Sequence, residues 1–211
     1  MMTPSVVKVG GSTVSDARLL EWVGILGKSR LPLVIVPGGG PFADQVRRTQ
    51  EQIGFSDEAA HVMAIQGMDQ FGVMLCDLCE RFRPARAQNQ IQQVLEEGNI
   101  PVWLPSDMTV GRRDIPASWN VTSDSLAAWL AGQIGAKALL LIKQVRGLRA
   151  YDTVARLQEL GIVDGCLKSM LPSGVRLLAA GPDHLTAAAR VMERGALPGV
   201  LIANAAGSVH A

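Results

Sequence analysis

Two short β-branched runs, each ending in consecutive glycines, constrain this chain more than any other feature. Val6-Val7-Lys8-Val9 runs into Gly10-Gly11-Ser12, and Leu33-Val34-Ile35-Val36-Pro37 runs into Gly38-Gly39-Gly40. Apolar runs of this length, punctuated by glycine, predict strands followed by tight turns. Stretches of helical periodicity lie between and beyond them. Alternation of that kind predicts an α/β fold with a mainly parallel sheet. In such a sheet both glycine turns are expected to open on one edge, where open α/β sheets bind their ligands.

The remaining elements follow the same logic. Strands are predicted at 5–10, 32–37, 100–104, 138–142, 175–179 and 200–203, and helices at about 16–29, 41–53, 88–97 and 123–134. Leu19, Leu20, Val23 and Leu26 are expected on one face of the first helix. Ser56 reads as an N-cap with Asp57 and Glu58 in the first turn, opening a long helix toward Arg81. A polar segment containing Gly111, Arg112, Arg113 and Pro116 marks a loop. It divides a single domain into lobes of about 1–115 and 116–211.

Composition narrows the function classes. The 211 residues suffice for a sizeable core. No apolar run reaches the roughly 18 residues that span a membrane. Lys and Arg total 20 against 19 Asp and Glu, so no overall field draws nucleic acid or anionic lipid. The start, Met1-Met2-Thr3-Pro4, lacks the basic and apolar regions of a signal peptide, and a cytoplasmic location is expected. Cys76 and Cys79 form a Cys-x-x-Cys within an apolar helical stretch, and Cys166 stands alone. Buried structural thiols are expected, with redox or zinc use as the alternative reading. No metal-ligand set is assigned.

The chemistry starts at Lys8. A lysine leaving a strand beside unobstructed backbone N–H groups suits a polyphosphate, because amides cradle its oxygens and the ammonium offsets its charge. Gly38-Gly39-Gly40 opens a predicted helix, and a helix N-terminus adds further N–H donors. The spacing matches neither a Walker A motif nor a Gly-x-Gly-x-x-Gly fingerprint. A third motif is Ser118-Trp119-Asn120-Val121-Thr122-Ser123-Asp124-Ser125. Asp124 falls in the first turn of a helix, where a carboxylate is favourable through the helix dipole alone. The other reading has it fix a lysine while nearby hydroxyls and amides hold substrate.

The order of these motifs, followed by Leu141-Ile142-Lys143, resembles the amino acid kinase family from Val6 to about Asn204. The resemblance implies an open α/β/α sandwich with an N-terminal acceptor lobe and a C-terminal ATP lobe. Phosphoryl would pass directly from ATP to the acceptor, with Mg²⁺ on the phosphate oxygens. By the same resemblance Lys8 bridges the transferring group and Gly10, Gly11 and Ser12 contact the ATP phosphates. Gly38, Gly39 and Gly40 hold the acceptor, together with Asn120, Thr122 and Ser123. Asp124 orients the catalytic lysines. Lys143 contacts phosphate or nucleotide, and Lys168, after Val163-Asp164-Gly165, occupies about the place of the family's C-terminal phosphate-binding lysine. Gly147, Tyr151 and Asp152 fall in the nucleotide loop. Many members carry Val-Asp-Gly-Val-Tyr there, whereas this chain has Val145-Arg146-Gly147-Leu148-Arg149.

Two segments, Ser56–Ile65 with Met68–Gly72 and Ser118–Ala128, resemble a smaller branch of the family. That branch comprises the (5-(aminomethyl)furan-3-yl)methyl phosphate kinases of methanofuran biosynthesis, whose acceptor is a phosphate monoester. His61 is then a candidate ligand of the acceptor phosphate, against the alternative of a core histidine on an apolar helix. Asp44, Arg47 and Asp69 are candidate lining residues or ordinary charges on helix faces. Met63, Met68 and Met74 read as core packing, and Trp103, Trp119 and Trp129 as packing around the site. A uridylate, isopentenyl phosphate or acid kinase is the alternative within the family. A nucleotide- or oxyanion-binding protein without turnover is the alternative outside catalysis. The resemblance further implies a homodimer.

Overall fold

A computed structural model describes residues 3–150 and 152–203. In chain order, β1 (Ser5–Val9) passes through a 3-10 turn (Gly11–Ser15) to α1 (Arg18–Gly27), and β2 (Leu33–Pro37) leads to α2 (Gly40–Ile53) and α3 (Asp57–Asp77). Next come β3 (Phe82–Ala85), α4 (Gln88–Glu96), β4 (Ile100–Trp103), the short α5 (Ser106–Thr109), α6 (Ser123–Gln133) and β5 (Ala138–Ile142). The described chain ends with α7 (Val154–Glu159), α8 (Leu167–Met170), β6 (Arg176–Ala180), α9 (Pro182–Glu193) and β7 (Val200–Ile202).

The strands form one sheet in the order β3-β4-β2-β1-β5-β6-β7. Neighbours run parallel except β6 and β7. Successive residues of a strand point to opposite faces, and each face carries its own core. Val6, Val34, Val36, Leu139 and Leu141 belong to one, together with Leu126, Ala127 and Leu130 of α6. Val7, Val9, Ile35, Leu140 and Ile142 belong to the other, with Trp22 and Leu26 of α1 and Leu185 and Met192 of α9. Helices on both faces of a mostly parallel sheet make the predicted α/β/α sandwich. α6 is apolar or small over nearly its whole surface, and Ser123 through Ala131 are all buried. It is the central helix of its layer.

β1 lies at the middle of the sheet, paired to β2 on one side and β5 on the other. The chain first leaves β1 toward β2 and later returns to β5. Beyond the C-terminal end of β1 is therefore the point where strand order reverses, the usual position of a ligand crevice. Lys8 is in register with Val36 and Leu141 and shares their face, so its side chain enters the α6 side of the sheet near that end. The two glycine loops meet there. A Cβ on Gly11 would sit 2.2 Å from the Gly40 nitrogen, and one on Gly38 only 2.3 Å from the Gly11 nitrogen. Backbone therefore packs directly on backbone.

Several local expectations are corrected. Leu20 does not share the buried face of α1 and is 60% exposed, whereas Trp22 is buried. Starting from Leu19, helical periodicity selects positions 22, 23 and 26 and turns position 20 outward. α3 stops at Asp77 rather than near Arg81. The Arg81 guanidinium instead donates to the carbonyls of Gly27, Ser29 and Gly98, which ties three loops together. β3 was not predicted. Its four residues include Pro84, which lacks an N–H, and the strand accordingly sits at the sheet edge. α7, α8 and α9 likewise lie in a C-terminal stretch where periodicity predicts no helix.

Two glycine substitutions separate the roles of these residues. Gly24→Ala lies on α1 with nothing within 4 Å of the new methyl. It should raise stability by about 0.5–1 kcal/mol in urea unfolding. Gly11→Ala should lower it by about 1–3 kcal/mol, because two backbones must separate.

Candidate active site

The site is built on three charged side chains from three elements. Lys8 projects from near the C-terminal end of β1, Asp124 stands in the first turn of α6, and Lys143 follows directly on β5. The Lys143 backbone N–H is held by the Ala180 carbonyl at 2.8 Å. Lys8 Nζ lies 2.9 Å from Asp124 Oδ1, and Lys143 Nζ donates to Asp124 Oδ2 at 2.5 Å. Lys8 is only 4% exposed and Asp124 2%. Ions so far from water are tolerated only when paired. One carboxylate serves two ammonium groups, and the cluster keeps an excess positive charge.

That electrostatic balance shows in the titration of its members. Burial would raise the Asp124 carboxyl, but Lys143 and Lys8 outweigh it and hold the group down at about 2. Burial pushes the Lys143 ammonium down to about 8, helped by Lys8 and opposed by Asp124 and Asp164. Both effects follow from desolvation competing with close charges.

Above the cluster lies a cavity of about 250 Å³. Its floor includes Lys8 and Lys143, and the loop residues Gly11, Ser12, Gly39 and Gly40 line one side. Thr122 and Ser123 contribute from the start of α6. α2 and α3 supply Asp44, Arg47, Asp57 and His61, with Ala64, Ile65 and Met68 as apolar wall. Burial lowers the His61 imidazole below its ordinary value, and its Nε2 makes no hydrogen bond within the described chain. The Arg47 guanidinium lies 4.3 Å from the centroid of the Trp119 ring, a cation–π contact. Trp119 Nε1 donates to Gln50 Oε1 at 2.7 Å, and Gln50 Nε2 donates to Asp57 Oδ1 at 2.8 Å. This chain of contacts joins α2, the start of α3 and the loop before α6 around the cavity mouth.

Other sequence-selected residues stand elsewhere. Gly10 and Gly38 lie behind the lining and extend the sheet ladder, Gly10 N–H to the Ile142 carbonyl and Gly38 N–H to the Val9 carbonyl. Asn120 is exposed and outside the lining, its carbonyl accepting from Cys166 N–H. Asp69 pairs with Arg86 at 3.2 Å and accepts from Ser106 N–H. Lys168 is exposed on α8, away from the Asp124 cluster. Gly147 donates its N–H to Asp183 Oδ2, and Arg146 pairs with the same carboxylate at 2.8 Å. The departure at Arg146 is thus met by an acidic residue in the first turn of α9. Asp152 accepts from Arg149 N–H within its own turn. Tyr151 lies outside the described residues. Trp103 and Trp129 stack on each other at 6.1 Å within the core layer and leave only Trp119 of the three at the cavity. Cys76, Cys79 and Cys166 are free and partly buried, and burial pushes the Cys76 thiol up to about 11.

Local pattern does not mark Asp57 or Asp164 as site residues, and Ser118, which lines the cavity, figures in the sequence only as the first residue of the third motif. Asp57 looks like a first-turn carboxylate, and only the packing of α3 on α2 turns it toward the cavity. Asp164 bonds the start of α6 from a loop 42 residues further on. The dipeptide Asp164-Gly165 signals a turn but names no partner.

Asp124→Asn leaves two buried ammonium groups without their anion. It should cost about 3–5 kcal/mol in urea unfolding at neutral pH. The native carboxyl titrates below its ordinary 3.8, so its stabilising contribution is full above that pH and disappears as pH falls toward about 2. The Asn variant should lack that acid step.

The amino acid kinase family model matches residues 4–161. Over 149 residues the chain is 29% identical to a (5-(aminomethyl)furan-3-yl)methyl phosphate kinase of Methanocaldococcus jannaschii, covering 70% of this chain and 68% of that protein. Among solved structures, the uridylate kinase of Archaeoglobus fulgidus superposes with a TM-score of 0.66 at 16% identity, covering 94% of this chain and 99% of the other. The UMP kinase of Ureaplasma parvum gives 0.69 at 15% identity, with 95% and 96% covered. These two likenesses concern the fold, whereas the family match runs through both glycine loops, Asp124 and Lys143. This chain belongs to the amino acid kinase family and is a small-molecule kinase.

Proposed function

We propose that this protein transfers the γ-phosphoryl group of ATP to a small phosphate monoester. The acceptor we assign is (5-(aminomethyl)furan-3-yl)methyl phosphate, converted to its diphosphate in methanofuran-type cofactor biosynthesis. The observation that carries the kinase reading is the Lys8–Asp124–Lys143 cluster, set where two glycine loops touch. The named substrate of the Methanocaldococcus jannaschii relative supports the acceptor. His61 with its free Nε2, and Arg47, which lines the same cavity, are in keeping with an acceptor that already bears a phosphate.

In this reading an acceptor phosphate oxygen attacks the γ-phosphorus. A bond forms from that oxygen to phosphorus, the bond to the bridging oxygen of ADP breaks, and ADP leaves. Such transfer depends on alignment and charge neutralisation more than on a base. Lys8 sits between the two loops and meets the charge on the moving group. Lys143, paired with Asp124 at the cavity floor, contacts phosphate beside Lys8, while Lys168 stands exposed on α8. Asp124 holds both ammonium groups apart and aimed upward. Ser123 adds hydroxyl and N–H donors, whereas the N–H and hydroxyl of Thr122 are engaged by Asp164. The acceptor lies over α2 and α3 in the lobe of about 1–115, and the nucleotide over the β5–β6 edge in the remainder. Both oxygens of Asp124 are engaged by lysines, and Asp44 and Asp57 are exposed. Mg²⁺, when bound, would neutralise charge on the phosphate oxygens, and Asp44 and Asp57 are the carboxylates of the lining that could help hold it.

ADP release with Mg-ATP should respond strongly to the aminomethylfuran phosphate in a panel that also holds UMP, isopentenyl phosphate and acetylglutamate. A stronger response to another member would reassign the acceptor, and ATP binding with silence throughout would favour a binding protein without turnover. Lys8→Ala should cut turnover by about two orders of magnitude or more with the fold intact. Near-wild-type turnover in that variant would remove Lys8 from the mechanism. In kcat/KM, which reports the free enzyme, activity should fall as pH rises through about 8, where Lys143 loses its proton. Lys143→Arg should abolish that alkaline limb.

A further inference from the structure

We infer that Asp164 is the positioning residue of this site: it holds the first turn of α6, and with it Asp124, where both lysines can reach the carboxylate. The rate consequences rest on the kinase reading above, whereas the geometry does not.

Helix α6 starts with an unmet need. Its N-cap, Thr122, makes no side-chain capping bond of its own. The first turn is buried, so its free N–H groups cannot be left to water. Asp164 meets that need from the loop before α8. Its carboxylate accepts from Thr122 N–H at 2.9 Å, Thr122 Oγ1 at 2.8 Å and Ser125 N–H at 3.1 Å, and also from Ser125 Oγ. Thr122 and Ser125 bracket Ser123 and Asp124, so the bonds fix the turn on both sides of the catalytic carboxylate.

The loop that carries Asp164 is itself secured. Gln158 Nε2 donates to the carbonyls of Asp164 and Gly165, at 3.0 and 2.7 Å. Cys166 N–H donates to the Asn120 carbonyl at 3.0 Å. Asp164 thus clamps the 120–125 segment without lining the cavity, and acts on the chemistry only through Asp124 and Lys143. The charged groups around Lys143 are Asp124 from α6, Lys8 from β1 and Asp164 from this loop. Neutralising Asp164 removes an anion that favours the ammonium and loosens the second anion, Asp124. Both changes ease proton loss from Lys143.

The test follows Lys143 directly by its ¹³Cε shift in lysine-labelled protein, assigned through Lys143→Arg, alongside steady-state kinetics on the same samples. Asp164→Asn should lower the Lys143 midpoint by about half a pH unit or more. It should also lower kcat about ten- to a hundredfold with little change in KM for ATP. Ser125→Ala, which removes one of the bonds, should move both readouts the same way by less and serves if the Asn variant fails to fold. Ile91→Val, which removes a buried methyl from α4 away from the cavity and from the Asp164 loop, should lower the melting temperature and leave both readouts unchanged. If Asp164→Asn or Ser125→Ala lowers melting temperature but spares the midpoint and kcat, Asp164 is a helix cap and nothing more. A wild-type protein inactive on every acceptor, with a Lys143 midpoint that still responds to Asp164, overturns the kinase reading and upholds the positioning role.

Discussion

The carboxylate of Asp124, buried between two ammonium groups, is the interaction on which the site depends. Neither lysine could sit so deep without an anion, and the anion could not sit there without them. Their backbones come from the two central strands and from the most buried helix, so the sheet and α6 must assemble before the charges can meet. The pairing then leaves a net positive charge facing the cavity. A site in that condition is completed by an anionic ligand, and the surrounding loops offer N–H donors in place of side chains that would block one.

Close backbone approach is the second constraint. The loops after β1 and β2 touch through Gly11, Gly38 and Gly40, with no room for a Cβ on Gly11 or Gly38. This contact sets how near the Lys8 side chain lies to the start of α2. On the other side of the cavity the walls are made of side chains. Arg47 on Trp119, Trp119 to Gln50 and Gln50 to Asp57 link α2, α3 and the loop before α6 across its mouth. Under the proposed function, fixed backbone at the glycine loops and adjustable side chains at the mouth suit a reaction whose transferred group is constant while acceptors differ.

Much of the fold was legible because its signals are local. A strand needs only a short apolar run and a turn, and β1, β2, β4 and β5 all announce themselves that way. β3 escaped because Arg83 and Pro84 are tolerable only at an edge, which is a property of the sheet. Leu20 was misplaced because a cluster of leucines hides which positions share a helical face. At the site, Lys8 stood out as a charge within an apolar strand, and Asp124 as a residue with two open readings. Lys143 and Lys168 could not be ranked from spacing. Each follows a plausible phosphate-binding pattern, and only the sheet register brings Lys143 to the carboxylate while α8 carries Lys168 to the surface.

The sequence by itself determined the alternation of strand and helix, the two glycine turns, and the presence of a lysine where the first strand ends. These depend on periodicity and backbone freedom within a few residues. The tertiary structure alone decided which lysine pairs with Asp124, which loop caps α6, and which charges of α2 and α3 face the cavity. Those contacts join residues far apart in the chain, and their partners are chosen by strand order and helix packing rather than by any local preference.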